Sequence, residues 1–205
     1  MTTNTIISTE PGALPPVGKR HRQRLFFALW PTPALAERLA ALAETCQASC
    51  GGRTMRRETL HLTLAFIGEL EEARLPALRA AVAALFAADR AASAQPALPP
   101  AFTLHLDQLG YWPHNHILWT GCSAPGAAVM ALAAALAAAL QAAGFALEAR
   151  AFLPHVTLLR NAQTAALPAM PLLPWPAHEV LLVRSDLSAG HAAYEVIDRW
   201  ALLPP

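Results

Sequence analysis

Two short stretches of the chain alternate apolar and polar residues and share one spelling. In Leu60–Glu69 (LHLTLAFIGE) and in Pro154–Gln163 (PHVTLLRNAQ), His-x-Thr-Leu stands in a strand-like run. The pattern around them predicts the remaining elements. RLFFALW (Arg24–Trp30) is a short, bulky apolar run and reads as a buried strand. The next segment predicts a helix: Thr32 suits the N-cap, Pro33 the first helical position, and Leu35, Leu39, Leu42 and Cys46 recur at helical spacing. Gly51–Gly52 end it. A second helix is predicted over Glu71–Ala88, with Leu75, Leu78, Val82 and Leu85 on one face.

AASAQPALPP (residues 91–100) reads as a linker. Phe102, Leu104 and Leu106 then alternate with polar residues, and WPHNH interrupts the run. Phe102–Cys122 therefore predicts two strands around a turn. An Ala-rich helix follows from Ala127 and stops at Gly144. ARAFLPHVTLLR predicts a strand, LPAMPLLPWP a Pro-rich loop, and Glu179–Leu203 a closing hairpin. The halves repeat. The strand at Arg24 leads through a helix to His61, 37 residues on, and the strand at His116 leads through a helix to His155, 39 residues on. Such a duplication predicts two similar lobes related by a pseudo-twofold, with too few units for a solenoid.

Composition narrows the chemistry. The 205 residues suffice for a real core in one domain or two small lobes. A net charge of +1 predicts no broad electrostatic grip on nucleic acid, so any nucleic-acid substrate would be held locally. Of 15 basic residues only Lys19 is a lysine, and it lies in the loose segment 1–20. Chemistry that needs a core lysine, such as a Schiff base or a lysyl-nucleotide, lacks its residue. No P-loop occurs. Three cysteines, Cys46, Cys50 and Cys122, argue against a disulfide framework and fit a reducing compartment. Residues 1–20 lack a signal-peptide core, and the Ala-rich run is a poor membrane anchor, so the expected compartment is the cytoplasm.

The two motifs carry the chemistry. In a strand, residues i and i+2 share a face. His61 and Thr63 therefore point one way, as do His155 and Thr157, while Leu62, Leu64, Val156 and Leu158 point to helices. Brought together by the pseudo-twofold, one imidazole can take a proton from a nucleophile and the other can give one to a leaving oxygen. Two hydroxyls can donate to the oxygens of a phosphoryl group. Arg160, five residues after His155, can add a charged fork. That set suits in-line displacement at phosphorus without a metal.

With these residues in view, the chain resembles the 2H phosphoesterase superfamily, and within it the bacterial RNA 2′,3′-cyclic phosphodiesterases, also known as 2′-5′ RNA ligases. The resemblance rests on RLFFALW, LHLTLAFIGEL, FTLHLDQLGYW with ILWTGC, PHVTLLR and YEVIDRWAL, and spans roughly residues 24–203. Ile67 stands where the family often has Leu. The resemblance implies an α+β bilobal fold, each lobe an antiparallel sheet backed by helices, with residues 21–205 as one catalytic domain. It implies hydrolysis of a 2′,3′-cyclic phosphate to a 2′-phosphate, with no cofactor. His61 and His155 would be catalytic and Thr63, Thr157 and Arg160 would bind phosphate. His61 is expected to protonate the 3′ oxygen and His155 to activate water, although the pseudo-twofold permits the reverse. RNA ends or tRNA fragments with a 2′,3′-cyclic phosphate, or small cyclic nucleotides, are the expected partners of a monomer. Reversible, ATP-independent 2′-5′ joining is also implied. The alternatives are a non-catalytic RNA-end binder, or an enzyme of this fold acting on 2′-5′ oligonucleotides or ADP-ribose cyclic phosphate.

Other residues divide by position. His105 faces away from Leu104 and Leu106 and is expected at the solvent side. His114 and His116 flank a turn, and His178 and His191 read as surface residues. Arg53, Arg56 and Arg57 either line the cleft rim or form a solvated loop. Phe27 is expected in the core, while Trp112 and Tyr194 are open candidates for stacking a base.

Overall fold

A computed structural model describes residues 22–91, 97–148, 151–163, 167–186 and 193–205. The expected tail and His191 lie outside these residues. The chain order is β1 (Arg22–Leu29), α1 (Pro33–Cys50), β2 (Arg53–Thr54), β3 (Leu62–Glu71), α2 (Leu75–Ala91), β4 (Phe102–Leu106), β5 (Gln108–Trp112) and β6 (Ile117–Gly121). It continues with α3 (Ala127–Ala142), β7 (His155–Arg160), β8 (Leu173–Ala177), β9 (Glu179–Asp186) and β10 (Ala193–Ala201).

The helices begin and end for the reasons read in the sequence. Thr32 accepts a bond from the Leu35 amide at 3.3 Å, and Gly51 closes α1 at φ 61°. That conformation favours glycine because a Cβ would crowd the carbonyl. The segment predicted as one helix from Glu71 starts later. Glu71 ends β3, and a 3₁₀ turn over Glu72–Arg74 precedes α2.

The main sheet has the order β10-β9-β1-β3-β7-β6-β5, with β2 added alongside β7. All of its pairings are antiparallel. β3 and β7 meet at its centre through one pair, Leu62 opposite Val156. The halves are tied a second way. α1 packs against β7, and α3 packs against β3. Each lobe's helix therefore covers the other lobe's motif strand, as a pseudo-twofold through the central pair requires. The main core lies on the helical side and includes Leu25, Phe27, Leu62, Leu64, Val156 and Leu158. A smaller cluster on the opposite face of β1 and β9 joins Phe26, Ala28, Leu181 and Val183. β1 is thus buried on both sides, which explains its unbroken apolar run.

Two expectations are corrected. Phe102–Trp112 is not one strand of a hairpin. Asp107 interrupts it, taking bonds from the amide and hydroxyl of Ser123, each at 2.7 Å. β4 then pairs with β8, while β5 and β6 form the hairpin around the turn. The Pro-rich segment is not all loop, because β8 runs through Pro174 and Pro176. In a two-stranded ribbon, alternate residues turn their backbone N–H outward, where proline costs no ladder bond. Leu173, Trp175 and Ala177 face the core instead and are buried.

Candidate active site

The central pair builds the site. Leu62 and Val156 are opposite one another and point to the helices. The period-two alternation then sets His61 across from Thr157, and Thr63 across from His155, on the other face. The four polar side chains form a quartet around the pseudo-twofold. The expected cleft is thus the shared surface of two adjacent strands. All four side chains are partly buried. Neither threonine hydroxyl has a hydrogen-bond partner among the described residues, so both remain available. Arg160, at the exposed end of β7, is near enough for its charge to act on His61.

Both imidazoles are aimed in the same way. Nδ1–H of His61 donates to the carbonyl of Thr59 at 2.7 Å, and Nδ1–H of His155 donates to that of Leu153 at 2.8 Å. A carbonyl only accepts, so each bond assigns the proton of the neutral ring to Nδ1 and leaves Nε2 as its basic nitrogen. In each lobe the acceptor is the carbonyl two residues before the histidine. No residue type announces a backbone acceptor, so the sequence carried no signal for it.

The surroundings differ. His61 stacks on Trp30 with ring centroids 5.2 Å apart and planes 9° apart. Phe26 lies 4.8 Å away, and Tyr194 meets it edge-on at 5.2 Å. Burial in this aromatic box pushes the His61 imidazole down to about 4. The Thr59 carbonyl pulls it back up, while the charges of His155 and Arg160 lower it further. His155 meets the edge of Trp112, at 4.6 Å, and more distantly Trp119, at 6.3 Å. Trp119 lies across Gly110 on the neighbouring strand, where a Cβ would fall 2.1 Å from the indole. Only glycine fits beneath it.

One hollow opens at the quartet and a second lies beyond Tyr194. A slot of about 290 Å³ opens from Thr63 and His155, where β3 and β7 splay apart, and is floored by Met130, Ala133 and Ala137 of α3. A larger one of about 660 Å³ begins at Tyr194 and runs past Arg24.

The remaining candidates sort by environment. Tyr194 and Trp112, both left open by the sequence, sit against His61 and His155 respectively. Trp30 and Phe26 escaped notice because an apolar strand gives no sign that part of it walls a cleft. Phe27 is in the core. His105 is exposed opposite buried Leu104 and Leu106, and His114 and His178 are exposed. His116 is also exposed and takes φ 54°, with its Nδ1 2.9 Å from the Tyr111 hydroxyl. Arg57 turns away to Glu37 at 3.4 Å, whereas the charge of Arg56 reaches Tyr194. Cys46 and Cys50 are buried on one face of α1. Burial, reinforced by Cys50, pushes the Cys46 thiol up to about 11, which makes it inert.

Known proteins share this arrangement of chain and fold. The sequence profile of the 2'-5' RNA ligase superfamily matches residues 31–188. The RNA 2',3'-cyclic phosphodiesterase of Escherichia coli strain K12 is 31% identical over 182 residues, covering 88% of this chain and 97% of that protein. The fold is similar to the crystal structure of E. coli LigT complexed with 3'-AMP, at a TM-score of 0.76 and 30% identity, covering 89% of this chain and 99% of LigT. It is also similar to TT0787 of Thermus thermophilus, at a TM-score of 0.69 and 27% identity over 88% of this chain and 98% of that one. With the profile covering most of its length, the chain belongs to the 2'-5' RNA ligase superfamily.

Proposed function

We propose that this protein is a phosphodiesterase that opens the 2′,3′-cyclic phosphate of an RNA or nucleoside end, leaving a 2′-phosphate and a free 3′-hydroxyl. The observation that carries this reading is the quartet, with two imidazoles and two hydroxyls on one face, the hydroxyls unpartnered among the described residues and each Nδ1 bond leaving Nε2 as the reactive atom. The activity of the E. coli relative supports the cyclic-phosphate substrate, and 3'-AMP on LigT supports a nucleotide at this site.

The steps follow from the side chains. Thr63, Thr157 and Arg160 hold the non-bridging oxygens of the phosphate. His155, on the more open side, takes a proton from a water through Nε2 as that water attacks phosphorus. The P–O3′ bond breaks, and His61 gives its Nε2 proton to the departing 3′ oxygen. In the free protein burial keeps His61 neutral, so this acid must be charged as substrate arrives. The anionic phosphate offsets the positive charge of Arg160 and favours the imidazolium. Binding of a nucleoside 2′-phosphate should therefore take up a proton and weaken as pH rises. With a 5′-hydroxyl in place of water, the same centre would form a 2′-5′ bond. One diester is exchanged for another, so no ATP is needed. One chain supplies every group, so the acting unit is a monomer. No described helix is long and apolar enough to cross a membrane.

The test is hydrolysis of an oligonucleotide ending in a 2′,3′-cyclic phosphate, in EDTA, with the product isomer identified. A 2′-phosphate is expected. Loss of activity with chelator, or full activity in both His61→Ala and His155→Ala, would overturn the proposal.

A further inference from the structure

The hollow that begins at Tyr194 lies outside the reaction just described. Tyr194 and Arg24 both line it. The Tyr194 ring stands edge-on to His61, with centroids 5.2 Å apart, so this residue links the hollow to the quartet. Arg24 lies on β1, with Glu69 and Ser185 as its partners on the flanking strands. Its guanidinium rests over the Phe66 ring at 4.9 Å and forms no ion pair among the described residues. The other arginines of the hollow are engaged. Arg184 is bonded to Glu195, and Arg22 lies 3.8 Å from Glu71.

The electrostatics agree. Burial raises the Tyr194 phenol, and the charges of Arg160, Arg24 and Arg56 act against that rise. The charges of three arginines from different elements thus act on the phenol that stands beside His61. Arg56 has a carboxylate nearby, Glu58 at 3.5 Å, whereas Arg24 and Arg160 have none among the described residues. A guanidinium on an aromatic face, next to a neutral phenol donor, is the chemistry of a phosphodiester subsite. Glu69, directly across from Arg24, and Glu72, Asp186 and Glu195 also line the hollow, and these acids disfavour more than one phosphate there.

We infer that Arg24, with the Tyr194 hydroxyl, binds the phosphate on the 5′ side of the terminal nucleotide, making the enzyme selective for RNA ends over free nucleoside cyclic phosphates. This rests on the proposed hydrolysis at the quartet. Arg24 touches no reacting atom, so its loss should leave the smallest substrate unaffected.

The experiment compares three substrates: a nucleoside 2′,3′-cyclic phosphate, the same compound carrying a 5′-phosphate, and a trinucleotide with the same cyclic end. The wild type should favour the second and third over the first by about tenfold in kcat/KM, the scale of one charged hydrogen bond. Arg24→Gln should erase that preference while keeping the rate on the first. Its log(kcat/KM) on the trinucleotide should fall less steeply with log salt, by about 0.7. Arg24→Lys should keep most of the salt dependence. Equal losses on all three substrates in Arg24→Gln, or a preference that survives the substitution, would overturn the subsite. A wild type inactive on every substrate would instead overturn the hydrolase reading and the subsite with it.

Discussion

His61 and His155 are presented by the same device and surrounded by different walls. Each follows a carbonyl two residues back that fixes its tautomer, and each has a threonine two residues on. Yet His61 is boxed by Trp30, Phe26 and Tyr194, while His155 meets mainly the edge of Trp112. Duplication made the two halves alike in backbone. The residues packed around each half made them unlike in solvation. Identical environments would give both imidazoles the same proton affinity; here burial favours neutral His61 in the free protein, so the proposed acid role depends on the anionic phosphate to charge it.

The strongest way to break the comparison is to remove each imidazole in turn. His61→Ala and His155→Ala should each lower kcat by roughly 10²–10⁴-fold, the range of a general acid or base. A substrate with sulfur in place of the 3′ oxygen separates them, since a thiolate leaves without an acid. Its hydrolysis should recover in His61→Ala and not in His155→Ala, and the opposite result would reverse their roles. A pH–rate profile cannot make this assignment, because either division of labour gives the same bell.

The next effect is on stability. An exposed histidine titrates near 6.5, and burial holds His61 at about 4 in the folded state. Between those values the unfolded chain binds more protons, so stability rises with pH across that window. The contribution is complete above about 6.5 and lost as pH falls through about 4, a change on the order of 3 kcal/mol. Denaturant unfolding of wild type against His61→Gln should show a difference that shrinks below pH 6.5. A constant difference would mean that burial does not hold the imidazole neutral.

Smaller losses are expected at the hydroxyls. Thr63→Val and Thr157→Val keep the strand shape and remove one donor each. Each should reduce kcat/KM by roughly 10–100-fold, from about 1.5–3 kcal/mol for a hydrogen bond to a charged oxygen. If only one of them matters, the quartet is functionally asymmetric. The gentlest probe is Trp30→Leu, which admits water to His61. Its imidazole should titrate above about 4 by NMR, whereas Trp112→Leu should leave the His61 titration unmoved.

Much of this was legible in the chain. The helices announce themselves through Thr32, Pro33, Gly51 and Gly144, because capping is local chemistry. The motif faces follow from period two. The break at Asp107 was not legible, since its partner Ser123 lies sixteen residues on. Nor was β8, whose prolines are tolerated only because its ribbon has two strands. His61's box was hidden for a related reason. Tyr194 and Trp30 come from opposite ends of the chain and meet only when β9, lying between β10 and β1, joins the two into one sheet.

By itself the sequence determined which side chains share a face, where helices start and stop, and that the halves repeat. These depend on neighbours a few residues apart, where backbone geometry alone sets direction. The tertiary structure decided that the two motifs lie on paired strands about Leu62 and Val156, which helix covers which strand, and which histidine is boxed by aromatic rings. Those outcomes depend on burial and long-range pairing. The free energy of a buried imidazole is set by what surrounds it and not by the residues beside it in the chain.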